Sequence, residues 1–133
     1  MGAQASAVID RVIVVDANVW IDHLRGHEEP VLDELLLNDL AAMHPHVLGE
    51  IALGSLRSRD EVVARFERLP VPNVAREGYV RFMIEEHRLW GTGIGYSDAH
   101  LLASARMSPD GFLWTRDKRL HKQAQRLGIA FEP

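Results

Sequence analysis

The apolar positions of this chain change period several times. Arg11 to Val15 (RVIVV) is a β-branched run without polar alternation, which predicts a short strand buried on both faces. ANVWIDHLRG then predicts a short helix stopped by Gly26. Between Pro30 and Leu40, Val31, Leu32, Leu35 and Leu36 fall at helical spacing. LAAMHP predicts a second strand, cut by Pro45. HVLGEIALGSLR and RDEVVARFERL predict two more helices, and PVPN a turn or short edge strand. A longer amphipathic helix is predicted from Arg76 to Trp90, and GTGIGYS is a loop. Asp98 to Met107 predicts a compact apolar helix with Ser97 as its N-cap. GFLWT predicts a strand, DKRLHKQAQRLG a helix closed by Gly128, and IAF a last strand.

Strands alternating with helices predict an α/β fold, with a mostly parallel sheet covered by helices on both faces. No repeat, low-complexity tract or Gly/Ser linker interrupts the pattern, so residues 1–133 read as a single domain. The composition, 47% hydrophobic and 26% charged, suits an ordinary globular core. There is no cysteine, which excludes disulfides, thiolate zinc sites and cysteine nucleophiles. It also fits a reducing, cytoplasmic setting. No segment has the form of a signal peptide or the length of a membrane span. MGAQAS fits the loose myristoylation pattern M-G-x-x-x-[ST], and is read as a chance match.

The net charge of −4 is a weak argument against a nucleic-acid partner. Its distribution softens that argument. Met1 to Glu50 holds two basic and nine acidic residues, whereas Leu101 to Pro133 holds six basic and three acidic ones. An acidic front and a basic tail are compatible with a metal pocket beside a phosphate-binding surface, and equally with solvated helix faces. Arg25, Arg116, Lys118 and Arg119 are the candidates to hold phosphates, Arg116 and Lys118 foremost because they flank Asp117.

In open parallel sheets ligands sit beyond the carboxyl ends of the strands. Asp16 directly follows the first predicted strand, Asp117 follows GFLWT by two residues, and Asp98 opens a helix after a Gly-rich loop. Each of these alone reads as a helix cap. Glu50 lies inside an apolar helix, where an ionised carboxylate is costly without a cation or hydrogen-bond donors. Together, the four carboxylates would repel one another unless a cation joins them, and Mg²⁺ or Mn²⁺ favours such all-oxygen sites. A bound ion of this kind can activate water for in-line displacement at phosphorus. Asn18 and Thr115, each two residues from an acid, are placed to orient the carboxylates, or else to cap and turn the chain.

Four segments, VDANVWIDHLRG, HVLGEIALGSL, GIGYSDAHLLASA and LWTRDKRL, resemble in order and spacing the PIN domain of VapC-type toxins from bacterial toxin–antitoxin pairs. The resemblance runs from about Val12 to Phe131. It implies a PIN-like three-layer sandwich and a Mg²⁺- or Mn²⁺-dependent endoribonuclease that cuts structured RNA and inhibits translation. It implies that Asp16, Glu50, Asp98 and Asp117 are the acidic site residues, with Thr115 and Asn18 at the small polar positions. It further implies a homodimer, a cognate antitoxin whose tail fills the acidic groove, and a bacterial cytoplasmic location. Some relatives carry one more acid near the fourth segment, where this chain has Arg119 and Leu120.

Other classes fit less well. An aspartate-based phosphatase wants an acid where Asn18 stands. A receiver domain wants paired acids after its first strand and a lysine after its last. A catalytically silent RNA- or partner-binding module would have little reason to keep all four acids. Seven histidines invite a zinc site, but His23 and His27 lack a metalloprotease glutamate, and His44 and His46 only flank a proline. His100 reads as packed, near the pocket rim. Trp20 and Trp114 read as core, and Trp90, beside the Gly-rich loop, as partly exposed and able to stack a base.

Overall fold

The computed structural model describes residues 11–133, so the MGAQAS match lies outside the described residues. Three strands, β1 (Arg11–Val15), β2 (Ala41–Ala42) and β3 (Asp110–Trp114), form a parallel sheet in the order β2-β1-β3. Seven helices surround it among the described residues: α1 (Ala17–Leu24), α2 (Pro30–Leu37), α3 (Pro45–Leu53), α4 (Arg59–Phe66), α5 (Glu77–Glu86), α6 (Tyr96–Arg106) and α7 (Lys118–Arg126). The fold is α/β, as the alternation predicted. Ile13, Val14 and Val15 are fully buried, so both faces of the central strand are covered and alternation is absent from its sequence.

Each strand is followed by a helix cap. Asp16, after β1, accepts a hydrogen bond from Ala17 N at 2.7 Å. His44, just past β2, accepts from His46 N at 3.0 Å, with Pro45 preset at the first helical position. Asp117, beyond β3, accepts from Arg119 N and Leu120 N. Three capping side chains are thereby gathered along the carboxyl edge of the sheet.

Several predicted boundaries move. The α2 helix ends at Leu37 rather than Leu40, and α5 at Glu86 rather than Trp90. In both, a non-glycine residue turns left-handed: Asp39 at φ 55° and Arg88 at φ 51°. The next amide then bonds back five residues, Leu40 N to Leu35 O at 2.9 Å and Leu89 N to Ile84 O at 3.0 Å. PVPN forms no strand. Ser97 is not the cap of α6. The helix starts at Tyr96 with Gly95 as N-cap, and Asp98 accepts the Gly95 N–H at 2.9 Å. IAF forms only a parallel bridge, Leu113 with Ala130, held by Leu113 N–Ile129 O and Phe131 N–Leu113 O. Helix α7 runs to Arg126, so few residues are left to lie beside β3.

The main core packs the sheet against α1, α2, α3, α6 and α7, with Trp20 and Trp114 both buried in it. Helix α6 is buried over seven consecutive residues, Ala99 to Ala105, because it lies between β1 and β3 on one side and α5 on the other. No helix among the described residues is long and apolar enough to cross a membrane.

Candidate active site

Asp16 is the hub of the carboxyl edge. It is buried, and both its carboxylate oxygens are held. Oδ1 accepts from Ala17 N, and Oδ2 accepts from the Thr115 hydroxyl at 2.7 Å and from Asn18 Nδ2 at 3.3 Å. Thr115 leaves β3 as Asp16 leaves β1, and Asp16 N bonds Trp114 O at 2.9 Å. The parallel pairing of Val15 with Trp114 sets that adjacency. Asn18 also reaches Thr115 Oγ1 at 3.3 Å and accepts Arg116 N at 3.0 Å. Asp117 N donates to Thr115 Oγ1 at 3.1 Å. The Thr115 hydroxyl thus ties Asp16, Asn18 and Asp117 together.

The charges report the same convergence. Burial pushes the Asp16 carboxyl above its ordinary pKa, the Thr115 and Ala17 hydrogen bonds pull it back, and the charges of Asp98 and Asp117 raise it further. Glu50 is also raised, by partial screening from water, then by Asp16 and Asp98, against a lowering by His46. The structure therefore brings all four acids into one electrostatic neighbourhood centred on Asp16. The burial argument for Glu50, however, is overturned. Helix α3 buries Val47 and Ile51, and Glu50 is an exposed residue on another face. The apolar neighbours in its sequence belong to two faces, not one.

None of the four acids is in an ion pair with Lys, Arg or His among the described residues. Uncompensated carboxylates that raise one another's pKa values, with oxygen donors only, suit a hard divalent cation. Among the described residues no three His, Asp or Glu side chains are arranged to enclose one ion between them. The donor set, carboxylate oxygens alone, is in its chemistry the kind that an ion such as Mg²⁺ takes, one or two at a time beside water.

Arg116 does not serve as a free phosphate ligand. Its guanidinium pairs with Asp22 and Glu29 and lies 5.9 Å from the centre of the Trp114 ring. It is a strut that fastens the β3 exit to α1 and the loop after it. Lys118 and Arg119 are exposed, and the Arg119 side chain crosses Gly93 so closely that a Cβ there would lie 2.7 Å from its Cδ.

Sequence reading missed a histidine cluster behind the acids. His46 and His100 are 4.4 Å apart between ring centres, with His44 5.2 Å from His46. His46 Nδ1 lies 3.0 Å from Ser97 Oγ, and His100 Nε2 lies 3.0 Å from Glu77 Oε1. Burial, then His46 and His100, push the His44 pKa down to about 4, so it is neutral at pH 7. Only the fold brings residues 44–46 next to residue 100, and no local pattern announces it.

The PIN domain family matches residues 13–126 of the chain. Ribonuclease VapC32 of Mycobacterium tuberculosis is 41% identical over 119 residues, which are 90% of this chain and 95% of that protein, in both strain CDC 1551 / Oshkosh and strain ATCC 25618 / H37Rv. The sheet order, the carboxylates at its carboxyl edge and these two matches agree, and the chain belongs to the PIN domain family, among its VapC-type members.

Proposed function

We propose that this chain is a Mg²⁺- or Mn²⁺-dependent endoribonuclease, the toxin of a type II toxin–antitoxin pair. One domain spanning residues 1–133 carries the activity in the bacterial cytoplasm. It cleaves structured RNA, tRNA or rRNA, and so inhibits translation. Its partners are that RNA, a cognate antitoxin and a second copy of the chain. The observation that carries the reading is the Asp16-centred set of four carboxylates without a cationic partner. The ribonuclease name of the 41% identical relatives supports the RNA substrate.

Asp16, Glu50, Asp98 and Asp117 are the residues that would hold the ion, directly or through water. When bound, the ion supplies an activated water and offsets the charge that develops on the phosphate. Thr115 and Asn18 both donate to Oδ2 of Asp16, and Asn18 also fixes Thr115 and the backbone of Arg116. Glu50 is exposed, and its carboxyl pKa is raised by partial screening from water and by Asp16 and Asp98. No covalent intermediate forms.

The direct test incubates purified protein with total RNA and Mn²⁺. Discrete fragments are expected, none in EDTA, and recovery when Mn²⁺ is returned. Cleavage that persists in chelator would overturn the metal assignment. Binding without cleavage, by folded and metal-loaded protein, would make the chain a silent binding module.

Thr115→Val keeps the side chain's shape and removes its hydroxyl. Asp16 Oδ2 loses its closest donor and Asp117 N its acceptor. Orienting partners of metal ligands are worth about 10- to 100-fold in affinity or activity, and a loss of that size is expected here. Titration of Mn²⁺ against cleavage rate checks it. An unchanged midpoint and rate would show that Thr115 only packs.

A further inference from the structure

Trp90 and Tyr96 are exposed aromatic side chains that flank the Gly-rich loop leading into α6, the helix that carries Asp98. Of the three tryptophans, two are core, while Trp90 is 58% exposed. Its exposure is built in. The left-handed Arg88 ends α5, Leu89 is buried and bonded to Ile84 O, and the Thr92 hydroxyl donates to Leu89 O at 2.6 Å. That loop holds the indole outward. Tyr96, 44% exposed, is held as firmly. Its hydroxyl donates to Glu77, and its ring meets the edge of His100 at 4.8 Å.

Trp90 and Tyr96 line one cavity of about 190 Å³, with Ile84, Leu89, Ile94 and Ala99 as its other apolar walls. Pockets that take whole small molecules hold roughly 300–1,000 Å³. This one suits a single flat ring system. The cavity wall also includes Gly95, whose N–H donates to Asp98 at 2.9 Å, so one wall residue is bonded to one of the acids. Arg119 lies across Gly93 of the same loop.

We propose that this cavity takes one unpaired nucleobase of the RNA substrate, stacked on Trp90 and Tyr96, and thereby sets which phosphate lies over the acids. This deepens the ribonuclease reading and rests on it. It restricts the substrate to RNA with an unstacked base near the cut, as in a loop or bulge, where splaying a base out is cheap. The cavity recognises a π-face and not a hydrogen-bonding edge, so base identity matters little to it.

The test uses full-length protein in EDTA, where cleavage is off. Because Trp20 and Trp114 are buried, fluorescence quenching reports on Trp90. Single-stranded poly(U) and poly(A) are expected to quench the emission, and inorganic polyphosphate, which has the charge but no bases, is not. With Mn²⁺, Trp90→Ala is expected to raise KM for cleavage of total RNA by roughly 5- to 150-fold, the value of one base–aromatic stack, whereas Trp90→Phe retains most of it. Equal quenching by polyphosphate, or no quenching, overturns the proposal. So does Trp90→Ala that cuts normally but changes the oligomeric state, which would make the wall a contact between copies. If wild-type protein is quenched by RNA yet never cleaves, the base site stands and the ribonuclease reading falls.

Discussion

Asp16→Asn is expected to reduce RNA cleavage about 1,000-fold or more, while the protein stays folded. The size follows from losing several kcal/mol of charge stabilisation at the reacting phosphate, at about 1.4 kcal/mol per tenfold in rate. The side chain keeps one bond, because an amide carbonyl still accepts from Ala17 N, while its N–H₂ replaces the oxygen that accepts from the Thr115 hydroxyl and Asn18 Nδ2. Stability should not fall, and the sign can be worked out. Burial, with Asp98 and Asp117, raises the Asp16 carboxyl in the folded state. The folded chain therefore holds that proton more tightly than the unfolded chain does. The resulting stability is fully present below the ordinary carboxylate range and is lost as pH rises through the raised value. An asparagine is neutral throughout, so in EDTA the variant's melting temperature should match or exceed the wild type near pH 7. Its decline with pH above about 4 should be shallower. Adding Mn²⁺ reverses the order. At a hundred times its Kd, an ion adds about 2.7 kcal/mol to whichever protein binds it, and only the wild type should gain. Thermal melts with and without Mn²⁺, beside a cleavage assay, check all of this. Wild-type cleavage by Asp16→Asn would remove Asp16 from the site.

Gly111→Ala is expected to be the most damaging single-methyl change in the fold. A Cβ on Gly111 would sit 2.1 Å from the carbonyl oxygen of Ala105 and 3.0 Å from the Ser108 Cβ. The first of these is backbone at the end of α6, so no side chain can swing aside. Either α6 lifts or β3 slides, and sliding breaks the pairing of Gly111 with Val12. Overpacking of a core costs about 1–3 kcal/mol and occasionally more. With rigid backbone on one side, the upper end applies, about 3 kcal/mol, or a fall in Tm of about 10 °C for a chain of this size. Gly49 is the contrast. It lies in α3 with nothing within 4 Å of a Cβ, so Gly49→Ala should stabilise by about 0.5–1 kcal/mol. Denaturant melts of the two variants separate them. A Gly111→Ala protein as stable as the wild type would mean that β3 and α6 can part without cost.

These two positions show what local sequence can and cannot carry. The elements were legible because periodicity is local: RVIVV is a buried strand wherever it stands. The stops at Gly26 and Gly128 were legible too, since glycine announces a left-handed turn. Those at Asp39 and Arg88 were not, because the same turn is there made by residues that rarely adopt it. This is why α2 and α5 were expected to run on. The cap of α6 was misplaced by one turn-forming pair, with Ser97 turned instead toward His46. At the site, the positions of Asp16, Asp98 and Asp117 were legible from strand ends and a loop. Glu50 was singled out for burial it does not have, since one helix can look apolar in sequence while its faces differ. The fastening of Arg116 to Asp22 and Glu29, and the histidine cluster, depend on contacts across roughly half the chain or more. Nothing nearby in sequence encodes them.

The pairing of β1 with β3 carries a further consequence, for the order of events during synthesis. Asp16 and the hydroxyl that holds it are separated by 99 positions in sequence. A growing chain has its first acid early, yet it cannot position that acid until Thr115 has emerged and β3 has docked at the sheet edge. Contacts this distant form late and slowly. Nascent chains halted before Gly111 therefore hold three of the four acids and no assembled pocket. Asp16 therefore waits, through most of synthesis, for the strand that carries its hydrogen-bond donor.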